Sequence, residues 1–361
     1  MPPTTEQSQG GQQPDAHPES TDDPSGINTS DDQSKPICYI ESLPAELSRK
    51  IILNLIDLGG LEALGALVFA SPGYFRLYLL ERRILLRTAI QKSLGNYVPE
   101  AFAVQASASL YRQRNPAVHL ITITGVITTL TNYRLHDDQH PDTPNMEVAL
   151  DMMPEDFLTG MASFYRSVAR PLVRECAARF LQHIDPSLEV GELSAMEQTR
   201  LLRALYRFQL WCNMFGDGRR ASRKAPPHKP QHARQFFSDP FIVWETAEIS
   251  CIYSVIYGVY NRVFRAITED VFESQPEAVA TRPPPPNPPV DWPIQLCKGT
   301  AERGLWLVHR VLNINDHNEL VRTMATYHGR KATFDEELES LDLVVGTPSF
   351  LDGCITRWQI R

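Results

Sequence analysis

The sequence lacks the short motifs that mark the common enzyme classes. No Gly-x-Gly-x-x-Gly, P-loop, His-Glu-x-x-His or Gly-x-Ser-x-Gly pattern occurs in its 361 residues. His228 and His232 are four residues apart, but Pro230 lies between them and no acidic residue follows, so they are not expected to share a helix face as metal ligands. We therefore expect a protein that is not an enzyme and that needs no metal or cofactor.

Cysteine is scarce, and so are long apolar runs. The six cysteines are scattered, and no two of them have the spacing of a metal site or a redox pair, so we predict buried thiols in a reducing compartment. No uninterrupted apolar run is long enough to span a membrane, and the N-terminus has no apolar core of a signal peptide. These features predict a cytoplasmic or nuclear location, or both, and no membrane segment.

The net charge of -8 is concentrated at the N-terminus. Residues 1–37 contain seven acidic residues and only one basic residue, Lys35, so the rest of the chain is close to neutral. The segment is rich in Pro, Gln, Ser, Asp and Gly, and it has too few apolar side chains to offset the entropy of ordering. We predict a disordered acidic tail, with a phosphorylated regulatory tail as the alternative.

The stretch from 38 to 95 is the strongest structural signal in the chain. Its proline, glycine and capping residues predict three helices. The first opens at Leu43-Pro44 and ends at Gly59-Gly60, a short second one covers Leu61–Ala70, and a long third one runs from Ser71-Pro72 to Gly95. The first helix carries more apolar surface than one face can hold, because its apolar residues cover an arc of about 180° instead of the usual ~100°. Either later helices or a partner protein must cover the excess.

The spacing of these residues resembles an F-box. The pattern consists of Leu43-Pro44-Ala45-Glu46-Leu47, Ile51-Ile52, Leu55, Asp57, Leu61, Leu64, Leu67, Ser71-Pro72 and Phe75. The resemblance implies docking on a Skp-type adaptor, and through it on a cullin within an SCF-type ubiquitin ligase. On that basis the predicted adaptor-binding residues are Leu43, Pro44, Leu47, Ile51, Ile52, Leu55, Leu61, Leu64, Leu67 and Phe75.

The resemblance extends beyond this stretch. The longer run through Tyr78, Arg82, Arg83 and Leu94-Gly95 is similar to filamentous-fungal F-box-like proteins of unknown substrate. Weaker similarities continue downstream, and none of them carries recognisable chemistry. They lie at Ala204-Leu205-Tyr206-Arg207-Phe208-Gln209-Leu210, at Trp244-Glu245 with Cys251, and at Gly304-Leu305.

The capping residues and apolar spacing of residues 96–361 predict further helices. Ser194-Ala195-Met196-Glu197 is a capping box that opens an apolar helix, and Pro171 is expected to kink or split a long helix over 154–183. The β-branched run at 117–133 allows a strand or a helix, and its apolar spacing favours the helix. Polar or proline-rich loops are predicted at 216–238 and 273–293.

The first of these loops is basic. We favour a solvated loop, with a nuclear-import or anionic-partner patch as the second interpretation. Nucleic-acid binding is the least favoured, because no aromatic residues are interleaved with the charges. Ser222 follows Arg219-Arg220-Ala221 and fits a kinase site. The proline run in the second loop is interpreted as a spacer, or alternatively as a ligand for proline-binding modules.

Together these patterns predict an all-α protein in which a three-helix F-box is followed by an irregular multi-helix region. The expected function is that of a substrate-recognition subunit of an SCF-type ligase, with an unidentified substrate protein. The alternative is a non-catalytic scaffold that has F-box-like helices and joins no ligase. Glu245 beside Trp244 is interpreted as a helix-entry glutamate that interacts with the helix dipole.

Overall fold

The computed structural model of the chain describes residues 43–108, 116–136, 150–185, 187, 191, 193–216, 241–273 and 292–327. These residues form helices joined by short connections, and none of them belongs to a strand. The fold is all-α, as the sequence predicts. The predictions for 1–37, for nearly all of 216–238 and 273–293, and for Ser222 concern residues outside the described part of the chain.

The structure gives the bounds of eleven α-helices, one 3-10 turn and one π turn, and residues 150–152 are also helical. In chain order they are α1 (Ala45–Ala70), α2 (Pro72–Leu94), the 3-10 turn (Gly95–Tyr97), α3 (Val98–Ser107), α4 (Pro116–His136), α5 (Glu155–Phe164), the π turn (Tyr165–Ala169), α6 (Arg170–Ile184), α7 (Ala195–Met214), α8 (Val243–Glu273), α9 (Trp292–Ala301), α10 (Leu305–Leu312) and α11 (His317–Tyr327).

Helix α7 is the centre of the fold. The capping box at its start is formed as predicted, with the backbone N–H of Glu197 donating to Ser194 Oγ and the backbone N–H of Ser194 donating to the Glu197 carboxylate. From residue 204 to residue 214 every side chain is buried, so the helix has no solvent face over this length. Helices α3, α6 and α8 pack around it.

Helix α1 bends sharply at Gly60, where φ is +56° and ψ is -135°. A side chain cannot adopt this conformation without strain, and a Cβ atom there would lie 2.1 Å from Ser93 Oγ. The break therefore falls where the glycine pair predicted it. It divides the helix into a first segment, residues 45–59, and a second segment, residues 61–70.

Two contacts fix the direction of the first segment against α2. The Leu61 backbone N–H donates to Ser93 Oγ at 2.8 Å, and Arg49 Nε lies 2.8 Å from Glu81 Oε2. Both contacts join residues 32 positions apart, so the first segment of α1 runs parallel to the later half of α2. Ser71 caps α2 by accepting a hydrogen bond from the Tyr74 backbone N–H, as predicted.

The predicted long helix over 154–183 stays helical throughout, but it changes its hydrogen-bond register just before Pro171. Helix α5 passes into the π turn and then into α6, and Pro171 stands at the start of α6. The Arg170 N–H bonds to the Tyr165 carbonyl, five residues back. Because proline has no N–H to donate, a change of hydrogen-bond register just before Pro171 is a low-cost way to continue the helix.

The ambiguous run at 117–133 is helical, since it lies within α4, and the helix interpretation is confirmed. One hydrophobic core runs from α1 to α11, so the helices of the N-terminal stretch share it with the later ones. Four of the six cysteines, Cys176, Cys212, Cys251 and Cys297, are buried, as predicted. The other two, Cys38 and Cys354, lie outside the described residues.

Among the described helices, α1 alone has the length and apolar composition of a membrane-spanning helix. The bend at Gly60 leaves two segments that are each shorter than the ~20 residues a span requires. Ile52, Ile56, Leu61 and Leu64 of this helix pack into the protein core. These observations favour packing within the protein as the reason for its apolar composition.

Candidate functional site

The ten residues predicted to bind an adaptor fall into three groups in the structure. Pro44, Leu47 and Phe75 are exposed. Leu43, Ile51, Leu55 and Leu67 are half-buried, while Ile52, Leu61 and Leu64 are fully buried in the core. The buried residues support the surface from beneath, so the accessible candidates for contact with a partner are the other seven.

The accessible residues of α1 form a stripe along its first segment. At 100° per residue, Leu47, Ile51, Leu55 and Leu58 lie within an arc of about 80°, and Ile52 and Ile56 lie on the adjoining face. Leu47 is 46% exposed and Leu58 is 84% exposed, whereas Ile52 and Ile56 are 0% exposed. The wide apolar arc of the sequence is thus two faces, one that meets the core and one that faces solvent.

Helix α2 contributes apolar residues that sequence reasoning missed. Leu79, Leu80 and Ile84 are large and exposed, and Leu80 is 83% exposed. They flank Glu81, whose φ of -114° and ψ of 20° interrupt the helix. This irregularity shifts the faces of the helix before and after it, so a regular helical wheel does not separate exposed from buried positions there.

Exposed apolar side chains are concentrated on these two helices. Seven of the fifteen large hydrophobic residues that are exposed in the described part of the chain lie on α1 and α2. They are Leu47, Leu58, Phe69, Phe75, Leu79, Leu80 and Ile84. A concentration of exposed apolar side chains is typical of surfaces that bind another protein.

Polar contacts hold α2 against α5. The Arg82 guanidinium donates to Thr159 Oγ1 at 3.1 Å and to Tyr78 Oη at 3.2 Å, and it lies 3.0 Å from Glu155 Oε1. Arg83 donates to the Asp151 carbonyl, and Arg87 pairs with the Asp151 carboxylate. The arginines of the longer sequence pattern therefore fasten the exposed apolar surface to the rest of the fold.

A cleft of about 1000 Å³ lies beside this surface. One wall is the second segment of α1 with part of α2, and the other is the π turn with the neighbouring ends of α5 and α6. Leu64, Val68 and Phe69 line the first wall, and Arg166, Arg170 and Arg174 line the second. Sequence reasoning missed this cleft, because its two walls are about a hundred residues apart in the chain.

A second cluster of charge is buried beneath α7. Arg207 Nη1 lies 3.0 Å from Glu245 Oε1, and its Nη2 atom donates to Glu100 Oε1 at 2.8 Å. Arg203 makes a two-pronged contact with Glu248. The Glu245 carboxylate also accepts a hydrogen bond from the Ile242 backbone N–H at 3.2 Å, next to the start of α8. The helix-entry interpretation of Glu245 is correct, but its buried arginine partners were not predictable from local sequence patterns.

The buried Arg/Glu cluster links α7 to α3 and α8 through ion pairs. All three carboxylates are paired with arginines, which is the arrangement that makes buried charge tolerable.

Burial raises the pKa of the Cys176 thiol to about 12 and that of Cys297 to about 11, so neither thiol is poised as a nucleophile. Within the described ranges, no three His, Cys, Asp or Glu side chains are placed to hold a metal ion.

No family model, curated protein or solved structure matches this chain. The apolar surface of α1 and α2 and the neighbouring cleft are therefore interpreted from their own geometry and chemistry.

Proposed function

We propose that the protein is a substrate-recognition subunit of an SCF-type cullin-RING ubiquitin ligase, and that α1 and α2 dock on a Skp-type adaptor. The observation that supports this is the concentration of exposed apolar side chains on the two helices that carry the F-box-like pattern. Such a subunit needs no active site, because it acts by raising the local concentration of a substrate near the conjugating enzyme. A cytoplasmic or nuclear location is part of the proposal.

The docking surface consists of the exposed stripe of the first segment of α1 and the exposed residues of α2. Burial of Leu47 and Leu58 against a groove of the adaptor would supply apolar contact of the kind that anchors helix-in-groove complexes. The buried residues Ile52, Leu61 and Leu64 keep the stripe in place by fixing α1 to the core. The proposal thus assigns contact to the exposed residues and support to the buried ones.

The test is co-expression with the Skp-type adaptor from the same source, followed by size-exclusion chromatography. We expect a stable one-to-one complex. In the variant Leu47→Asp/Leu58→Asp, affinity should fall by roughly thirtyfold or more, the loss expected when hot-spot residues are removed. The control is Met196→Asp, which places one carboxylate on an exposed apolar position of α7.

Three results would count against the proposal. They are the absence of a complex, equal binding by the double variant, and an equal loss of binding in the control. The alternative function, a scaffold that joins no ligase, predicts that the adaptor complex forms but recruits no cullin. Addition of purified cullin to the complex distinguishes the two functions.

A further inference from the structure

The cleft beside α1 carries positive charge along one of its walls. Arg166, Arg170 and Arg174 recur every four residues along the π turn and α6, and all three line the cleft. Among the described residues that line the cleft, the acid is Glu62, whose Oε2 atom lies 2.7 Å from Arg170 Nη1. Within the described part of the chain, Arg166 and Arg174 line the cleft without a carboxylate partner.

Arg166 is held in position by the opposite wall. Its guanidinium carbon lies 5.8 Å from the centre of the Phe69 ring, within the range of a cation–π contact. The guanidinium also packs against Gly65, where an added Cβ atom would lie only 2.6 Å from it. A guanidinium that is already oriented loses less entropy on binding than a free one does.

The backbone that carries Arg166 is itself unusual. The π turn Tyr165–Ala169 interrupts an otherwise continuous helix, and single π turns of this kind are frequent at functional sites. Tyr165 of this turn is buried, and the loss of solvent raises the pKa of its hydroxyl. Ser167, on the same turn, is exposed and lines the cleft.

We propose that the cleft binds an acidic segment of a partner protein, with carboxylates on Arg166 and Arg174 and an aliphatic side chain against Val68. Eight helical residues span about 12 Å, the distance that about four residues of an extended peptide cover. The motif that fits therefore has acidic residues at positions i and i+4 with an apolar residue between them. Arginine is suited to this task because its planar fork binds carboxylates through two hydrogen bonds.

The surroundings of the arginines favour a peptide over a nucleic acid. One side of the cleft is apolar, which suits an aliphatic side chain. Three arginines, one of them already paired with Glu62, form too small a basic surface to follow a phosphate backbone. Leu61, Leu64 and Phe75 of the predicted adaptor-binding set also line the cleft, but none of the arginines belongs to that set. Arginine variants therefore test the cleft without altering the predicted adaptor-binding residues.

The test measures fluorescence anisotropy of labelled peptides titrated with the full chain. The probe is Glu-Ser-Leu-Ser-Glu, and the comparison peptide has glutamine in place of both glutamates. We expect the glutamate peptide to bind at least tenfold more tightly. Arg166→Gln and Arg174→Gln should each weaken it about tenfold, because each removes a charged hydrogen bond. Ser167→Trp should also weaken binding, since it fills the cleft without altering its charge.

The matched control is Arg322→Gln on α11, an exposed arginine outside the cleft, which should leave binding unchanged. Thermal unfolding of each variant shows whether it is folded. Arg174 is exposed, so Arg174→Gln is expected to fold and provides the test if Arg166→Gln is unstable. The proposal is overturned if the glutamate peptide does not bind, if the glutamine peptide binds equally well, or if the cleft variants behave like the control. Tighter binding of a labelled oligothymidine would assign the cleft to nucleic acid instead.

Discussion

Arg207 and Glu245 form an ion pair in the core, with 3.0 Å between Nη1 and Oε1 and with both side chains 2% exposed. The same guanidinium reaches Glu100 on α3 and stacks on Phe241, whose ring centre is 4.5 Å away. One side chain of α7 therefore ties α3 and the start of α8 to the central helix. On the same helix, Gln209 Oε1 accepts a hydrogen bond from the Leu305 backbone N–H. The weakly similar segments at 204–210, Trp244-Glu245 and Gly304-Leu305 are therefore in contact through α7.

We expect Arg207→Met to lower the free energy of unfolding by about 3–5 kcal/mol, because it leaves two buried carboxylates without their shared partner. Arg207→Lys should recover only part of this loss, since an ammonium group cannot serve both glutamates in the same geometry. Urea denaturation followed by circular dichroism measures both changes. Arg322→Met, at an exposed position, should change stability by less than about 0.5 kcal/mol. A similar small change in Arg207→Met would show that the pair is energetically unimportant.

The bend at Gly60 provides a second prediction. In Gly60→Ala a Cβ atom would collide with Ser93 Oγ, and the residue would have to hold a positive φ. We expect a loss of about 1–3 kcal/mol of stability, measured by urea denaturation. Gly125→Ala is the matched control, because the new Cβ meets no atom within 4 Å and the residue lies inside α4. That substitution should stabilise the protein by up to about 1 kcal/mol. Equal effects of the two changes would rule out strain at Gly60.

Local signals predicted most of the fold. Glycine, proline and capping residues placed the bend at Gly60, the start of α2 and the start of α7. Pro171 marked the irregularity that precedes it, which is a change of hydrogen-bond register and not a break. Helix α8 is an exception, because Asp239-Pro240 predicts a helix start and the helix begins at Val243. The Glu245 side chain bonds back to the Ile242 N–H, so its capping interaction lies beyond the predicted start.

The candidate sites were less accessible to sequence reasoning. Periodicity identified the apolar residues of α1, but it could not separate Leu47 from Ile52, since burial depends on where α2 packs. The cleft needed Arg166 and Phe69 to meet across about a hundred residues of chain. A single sequence carries no information on such contacts when both side chains are ordinary surface types.

Two buried thiols should be inert. The pKa of Cys176 is raised to about 12 by burial, so only about one molecule in ten thousand carries its thiolate at pH 8. The pKa of Cys297 is raised to about 11 for the same reason. We expect neither thiol to react with iodoacetamide in the native protein at pH 8, and both to react in urea. Mass spectrometry of peptides locates the label, and rapid labelling of Cys176 without urea would show that α6 opens locally.

The capping box of α7 makes the last prediction. The side-chain hydrogen bond from Ser194, together with its backbone N–H, lowers the pKa of the Glu197 carboxyl below its usual value of 4.5. Ser194→Ala should therefore raise the pKa of Glu197 toward that value and lower stability by about 1 kcal/mol near neutral pH. The pKa of Glu197 is lower in the folded protein than in the unfolded chain. The ionised carboxylate therefore stabilises the fold at pH values above the unfolded-state pKa, and this stabilisation is lost as the pH falls through the folded-state pKa.

NMR titration of the Glu197 carboxyl carbon, with urea denaturation at pH 7 and at pH 3, measures both effects. Ser187→Ala is the matched control, because Ser187 lowers the pKa of Asp185 by the same kind of hydrogen bonds. It should raise the pKa of Asp185 and leave that of Glu197 unchanged. If Ser194→Ala left the Glu197 pKa where it was, the carboxylate would be stabilised by the positive end of the α7 dipole and not by Ser194. The stability loss would then be the same at both pH values.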